Sequence, residues 1–379
     1  MPLPSSRRDL DRVRPFASNL ADVPTFRPDL REIAPYAPGR SIAEVARENG
    51  FDPAEMVKLA SNESPVPPIA AVQEAIRAGA DQVHRYPDNE TVELRRALSD
   101  GLGVPESHVW AGGGSSELLR VIAMAVGGPG TSAVYAWPSF VIYRLASMLT
   151  MSERIEVPLD RHRHDLDAMA AAVRDDTTIV YVCNPNNPTG TYLSADAVGR
   201  FVESVPERVL IVLDEAYHEY VTAADHATAV PLALERPNVV VTRTFSKIHG
   251  LAALRVGYAV ARPETITELR KAQAPFTVTT LGQLAAVESL RHVDEIEARR
   301  DLNAAERSRI EARLGDLGMT HVPSQGNFVF LDASSSTDPA AAYLAHGVIV
   351  RVFGRWIRVT VGSEDENDRF LAATERLFG

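Results

Sequence analysis

Thr242-Arg243-Thr244-Phe245-Ser246-Lys247-Ile248-His249-Gly250-Leu251-Ala252-Ala253-Leu254-Arg255-Val256-Gly257-Tyr258 is the stretch around which the remaining sequence falls into order. An apolar run, Val239-Val240-Val241, leads into a hydroxyl-rich turn carrying one lysine, and a second apolar run, broken by Arg255, follows. Three β-branched residues in succession suit a buried strand of a parallel sheet. The turn at the end of such a strand is where α/β sheets place ligands. Thr244 and Ser246 bring hydroxyls, and Arg255 a rigid guanidinium, to the neighbourhood of Lys247, a set that suits a phosphate monoester. A lysine beside a phosphate implies an amine that condenses with a phosphorylated aldehyde. On its own, a Ser-Lys-x-x-Gly turn is more often an ordinary solvated turn.

This turn does not stand alone. Asn184-Pro185-Asn186-Asn187-Pro188-Thr189-Gly190 follows the apolar run Ile179-Val180-Tyr181-Val182, and Asp214-Glu215-Ala216-Tyr217 follows Val209-Leu210-Ile211-Val212-Leu213. Strand and helix patterns alternate, which predicts an α/β fold with right-handed crossovers and a mostly parallel sheet. Helical spacing covers 69–78, 92–102 and 194–204, and Ser41 opens a shorter helix with Glu44 as its capping-box partner. Gly112-Gly113-Gly114-Ser115-Ser116 precedes another helix, with Ser115 as cap, and puts open N–H groups where an anion can bind. Pro263 sits one turn inside a further helix, and a long amphipathic helix runs over roughly 280–315. Strands at 327–331 and 357–361 and a closing helix at 364–378 make a smaller α+β unit.

The chain has 379 residues, enough for a large core and two domains. Its formal charge of −11 gives nucleic acid no basic face to bind. No apolar run is long enough to span a bilayer, and Met1-Pro2-Leu3-Pro4-Ser5-Ser6-Arg7-Arg8 lacks the apolar core of a secretion signal. One cysteine, Cys183, leaves no intramolecular disulfide or multi-cysteine metal site. A cytoplasmic enzyme is expected.

The three segments around Asn187, Asp214 and Lys247, in this order, resemble the aminotransferases of the aspartate-aminotransferase fold (fold type I), which use pyridoxal phosphate. The resemblance covers nearly the whole chain from about residue 33. It implies a large domain with a seven-stranded-type sheet over 61–275, a smaller domain from 36–60 with 276–379, and an amino-terminal arm over 1–35. It gives Asp214 to the ring nitrogen of the cofactor, where a buried carboxylate keeps that nitrogen protonated. A helix cap or turn aspartate is the commoner fate of Asp after a strand. Tyr217 and Asn187 go to the phenolic oxygen, and Phe140 to the ring face, with plain core as its alternative. Gly114, Ser115, Ser116, Thr244, Ser246 and Arg255 make the phosphate cup. Lys247 forms the Schiff base and then moves the proton at the substrate α-carbon.

On the substrate side the resemblance implies Arg358 as the carboxylate clamp, Arg351 as a second guanidinium, and Tyr36, Asn62 and Asn327 as further contacts. Tyr36-Ala37-Pro38-Gly39, Lys58-Leu59-Ala60-Ser61-Asn62-Glu63, Arg85-Tyr86-Pro87-Asp88 and Arg358-Val359-Thr360-Val361-Gly362 look like histidinol-phosphate aminotransferases and equally like actinobacterial aromatic amino acid aminotransferases. The implied reaction is ping-pong transfer between an amino donor, histidinol phosphate or an aromatic amino acid, and a 2-oxo acid, in a homodimer. A decarboxylase or lyase on the same fold, or an aminotransferase with another substrate, is the alternative. A cofactor-binding regulator is a third reading, for which the 35-residue arm is too short to hold a DNA-binding module. Val66, Ser116, His249 and Ala253, and a short loop between Arg351 and Arg358, depart from the branch's pattern.

Overall fold

Val239-Val240-Val241 lies in the centre of a seven-stranded sheet, walled by apolar neighbours on both faces. The computed structural model describes Arg27, Leu30, Ile33 and residues 39–378. In chain order the strands are β1 (Val57–Lys58), β2 (Val109–Gly112), β3 (Ser132–Trp137), β4 (Glu153–Pro158), β5 (Thr177–Cys183), β6 (Leu210–Asp214), β7 (Val239–Thr244), β8 (Gly257–Val260), β9 (His321–Val322), β10 (Phe328–Asp332), β11 (Val348–Ile349), β12 (Arg351–Phe353) and β13 (Trp356–Thr360).

The large sheet has the order β2-β8-β7-β6-β5-β3-β4. Neighbours from β7 to β4 pair in parallel, and β8 runs against both β7 and β2. The carboxyl ends of β2, β3, β5, β6 and β7 therefore share one edge, where β8 begins. Gly257 faces Gly112 of β2 on one side and Thr244 of β7 on the other. This position must be glycine, because an added Cβ would lie 2.5 Å from the Ser115 nitrogen. The absent side chain lets the Gly112–Ser115 turn and the Thr244–Lys247 turn approach each other. Burial on both faces explains why these strands read as unbroken apolar runs.

A second, antiparallel sheet has the order β12-β13-β10-β9. One of its faces packs Val329, Leu331, Ile357 and Val359 against helices Val293–Asp316 and Glu364–Phe378. The other presents Phe328, Phe330, Trp356 and Arg358, which side-chain alternation sets together. The strand expected near residue 57 is present as β1 and pairs in parallel with β11.

Three local expectations need correction. The long helix is two, Thr280–Leu290 and Val293–Asp316. His292 leaves helical geometry at φ −111° and ψ 57°, and its ring nitrogens bridge Glu288 and Glu295 at 3.1 Å each. Pro263 is the first residue of helix Pro263–Arg270, where its missing N–H costs nothing. Gly114 rather than Ser115 takes the cap position of helix Ser115–Val126, because φ +87° suits only glycine.

The chain divides by contacts into Met1–Tyr36 and Ala37–Gly379. In the first unit the described residues make one turn, with Leu30 N–H donating to Arg27 O at 3.1 Å. Most of the expected arm, and Tyr36, lie outside the described residues. Among those described, no helix is long and apolar enough to cross a membrane.

Candidate active site

Asp214 closes β6 and is 1% exposed. Its Oδ2 accepts the Tyr143 hydroxyl at 2.7 Å and its Oδ1 the Ala216 N–H at 3.2 Å. Burial pushes the carboxyl up to about 6, against the pull of those two donors. No cation pairs with it among the described residues. A buried carboxylate left in this state suits a ligand that brings its own positive charge, such as a protonated ring nitrogen.

Lys247 lies three residues beyond the end of β7. Its Nζ donates to the main-chain oxygen of Asn62 at 3.0 Å and lies 5.6 Å from the centre of the Tyr217 ring. Burial, and next the Arg358 charge, lower its amine to about 8, while Glu63 and Asp214 oppose the shift. A fraction of the amine is then neutral near physiological pH, as a nucleophile or proton acceptor requires. Tyr217 is buried edge-on to Phe328 with ring centres 5.1 Å apart, and its hydroxyl accepts Asn62 Nδ2–H at 3.0 Å.

The phosphate-cup residues converge from two turns. Helix Ser115–Val126 starts its own hydrogen bonding with the Glu117 and Leu118 N–H groups on Gly114 O, so the Ser115 and Ser116 N–H groups stand ahead of that ladder. A Cβ on Gly114 would lie 2.7 Å from Arg255 Nη2. Arg255 in turn donates to Ser246 Oγ at 3.3 Å and Ala252 O at 2.8 Å. Guanidinium, hydroxyl and helix N-terminus thus meet at one place, which fits a phosphate dianion. Thr244 differs from its neighbours: its buried hydroxyl accepts the Ser246 N–H at 3.1 Å and holds the turn itself.

Arg358 on β13 is 7% exposed. One of its nitrogens donates to Asn187 Oδ1 and another to Ala60 O at 2.7 Å. Its guanidinium carbon lies 5.6 Å from the ring centres of both Phe328 and Phe353. Arg351 sits directly opposite on β12 and is half-buried. Asn327 is buried, donates to Asn62 O at 3.2 Å, and leaves its own Oδ1 without a partner. Phe140 follows β3, half-buried and edge-on to Tyr143 at 5.8 Å. The sequence-predicted residues other than Tyr36 therefore gather along one sheet edge and the facing side of the small sheet.

Tyr143 went unnoticed in the sequence. Its ring stacks on Tyr181 at 4.7 Å and carries the hydroxyl to Asp214. A tyrosine three residues past Phe140, in the first turn of the helix Val141–Thr150, was the available signal. His249 is turned away from the Lys247 amine: it bonds Ser289 Oγ at 2.8 Å, packs on Phe245, and burial holds its ring down at about 3. That departure is thus absorbed by the core.

Residues 54–373 match the family model for aminotransferase class I and II. The chain is 42% identical over 360 residues to histidinol-phosphate aminotransferase 2 of Ralstonia nicotianae, covering 92% of this chain and 96% of the relative. It is 45% identical over 350 residues to the aromatic amino acid aminotransferase of Thermobifida fusca, with the same two coverages, 92% and 96%. Among solved structures, the histidinol-phosphate aminotransferase of Sinorhizobium meliloti in complex with pyridoxal-5'-phosphate aligns with a TM-score of 0.86 at 28% identity, over 95% of this chain and 99% of that one.

Proposed function

The chain belongs to the class I and II aminotransferases and uses pyridoxal phosphate, and we propose that its amino donor is a ring-bearing compound, histidinol phosphate first and an aromatic amino acid second, with 2-oxoglutarate as acceptor. The observation that carries this reading is the setting of Arg358. A buried guanidinium between two phenylalanine rings, with Arg351 across the strand pair, suits a substrate that joins an anionic group to a flat ring. Arg351 stands opposite Arg358 in the strand register, and a second guanidinium added to the first would favour a phosphate dianion. The Phe330, Phe353 and Trp356 rings support the aromatic amino acid as the second reading.

Bound at this site, pyridoxal phosphate supplies an aldehyde that takes up the amino group and a ring that draws electrons from the reacting carbon. In the proposed division of work, Gly114, Ser115, Ser116, Ser246 and Arg255 grip its phosphate, while Thr244 keeps their turn in shape. Asp214 would face the ring nitrogen, Phe140 the ring face, and Asn187 and Tyr217 the phenolic oxygen. Lys247 would hold the aldehyde at rest and would move the proton at the donor's amino-bearing carbon. Arg358 would fix the substrate's anionic group, and Asn62 and Asn327 would complete the substrate side.

We assign residues 61–275 to a cofactor-holding domain and 36–60 with 276–379 to a smaller one; the pairing of β1 with β11 supports the second grouping. A homodimer is part of the proposal. Tyr86 is 83% exposed and stacks on Phe276 at 4.7 Å, an apolar surface platform that a subunit contact would cover. A cytoplasmic setting accords with the acidic, single-cysteine sequence.

A donor panel tests the reading. Histidinol phosphate, phenylalanine, tyrosine and aspartate are each offered with 2-oxoglutarate and glutamate formation is followed. A kcat/KM for histidinol phosphate or an aromatic donor at least about tenfold above that for aspartate is expected. A preference for aspartate would overturn it.

A further inference from the structure

Asn62 has a backbone that few residues adopt. Its φ is +52°, in the left-handed region, and the residue is 1% exposed. Asparagine tolerates this conformation better than other side-chain-bearing residues. The effect is to turn the Asn62 carbonyl inward, onto the Lys247 amine at 3.0 Å.

The carbonyl is held from several directions. The Asn62 N–H donates to Thr360 Oγ1 on β13 at 2.9 Å. The Asn62 side chain donates to the Tyr217 hydroxyl at 3.0 Å. Asn327 Nδ2–H donates to the same carbonyl oxygen at 3.2 Å, so that oxygen keeps a donor when the lysine leaves it. A buried carbonyl stripped of every donor would carry a desolvation cost, and Asn327 removes that cost from each departure of the amine.

We infer that the main-chain carbonyl of Asn62 is the dock on which the Lys247 amine rests whenever it is not engaged by the cofactor, and that the left-handed backbone of Asn62, anchored by Thr360, aims it. This rests on the reading of Lys247 as the cofactor-holding lysine. It gives Asn62 a positioning role distinct from a substrate contact, exercised through its backbone. The side-chain amide serves to steady the residue against Tyr217. A docked amine returns to the same place after each departure, which keeps it within reach of the substrate carbon.

The test uses the full chain freed of cofactor, so that the amine is at the dock. Competitive acetylation of Lys247, read by peptide mass spectrometry from pH 6 to 11 against exposed Lys271, gives the midpoint at which the amine becomes reactive. The charged groups that act on this amine are Arg358, Glu63, Arg255 and Asp214, and the variants keep all four. A docked ammonium donates a charge-assisted bond, so loosening the dock favours the neutral form and lowers the midpoint. Asn62→Ala, which disfavours the left-handed backbone, and Thr360→Val, which removes the anchor, should each lower it by about half a unit or more. Asn62→Gly keeps the backbone and carbonyl while removing the amide, and should stay at the wild-type midpoint. Equal midpoints in all four proteins would overturn the dock. A shift in Asn62→Gly as large as in Asn62→Ala would also overturn it, by making the amide the active group. Should Asn62→Ala not fold, Thr360→Val with Asn62→Gly decides alone. Failure of the Lys247 assignment itself would show differently, as cofactor attached to another lysine.

Discussion

Tyr143 donates its hydroxyl hydrogen to Asp214 Oδ2 across 2.7 Å, 71 residues away in sequence and beneath the sheet edge that holds Lys247. The bond favours the ionised carboxylate, while burial opposes it and leaves the carboxyl at about 6. Replacing Tyr143 by Phe removes the favourable part and raises the carboxyl further. On the proposed role of Asp214, cofactor affinity should then fall about tenfold at pH 6 and less at pH 8. In cofactor-free protein the sign is opposite. A carboxyl whose folded value exceeds its unfolded value stabilises the fold at low pH and loses that contribution as pH rises from about 4 towards about 6. Tyr143→Phe should extend this loss to higher pH in urea melts run along a pH series. Identical pH profiles for the two proteins would remove Tyr143 from the account.

Arg358→Lys tests the anion clamp. A lysine cannot bond Asn187 and Ala60 while also presenting a fork to the substrate. The expected loss in kcat/KM is about 10²- to 10³-fold, with cofactor binding changed less than about threefold. Arg351→Lys, at a half-buried position, should cost less with aromatic donors than with histidinol phosphate. Steady-state kinetics with both donor types would show it, and equal losses would contradict a phosphate-facing Arg351.

Gly114→Ala places a methyl 2.7 Å from Arg255 Nη2 on a backbone with φ +87°. With ψ 159° this backbone lies in a region confined essentially to glycine, so a side chain there costs about 1–3 kcal/mol, and the guanidinium must move off the cup. Cofactor dissociation followed by fluorescence should weaken at least about tenfold, and added inorganic phosphate should protect the variant from heat less than it protects wild type. A variant that binds cofactor normally would mean that Arg255 and Gly114 do not grip the phosphate.

Much of the site could be read before folding because its residues sit at the ends of runs that can hardly be anything but buried strands. Asp214 after Val209-Leu210-Ile211-Val212-Leu213 and Lys247 after Val239-Val240-Val241 are of this kind. The direction of β8 was not legible, since an apolar run states that it is buried and not which way it runs. Tyr143 was hidden because a helical tyrosine reads as core until its hydroxyl partner is known. Asn62 was legible only as a side chain, whereas its main-chain oxygen meets the lysine. The break at His292 was missed because the apolar spacing carries on across it, and a single residue leaving helical dihedrals has no signature in that spacing.

The central claim is that Lys247 is the amine that holds the cofactor, facing Asp214 and the phosphate cup. Purified protein loaded with pyridoxal phosphate, reduced with borohydride to fix the group to whichever amine holds it, and digested for mass spectrometry tests that claim most directly. The account predicts the pyridoxyl mass on the peptide containing Lys247, and its loss with nearly all turnover in Lys247→Ala. The same mass on Lys58 or Lys271, or full activity in Lys247→Ala, would contradict it.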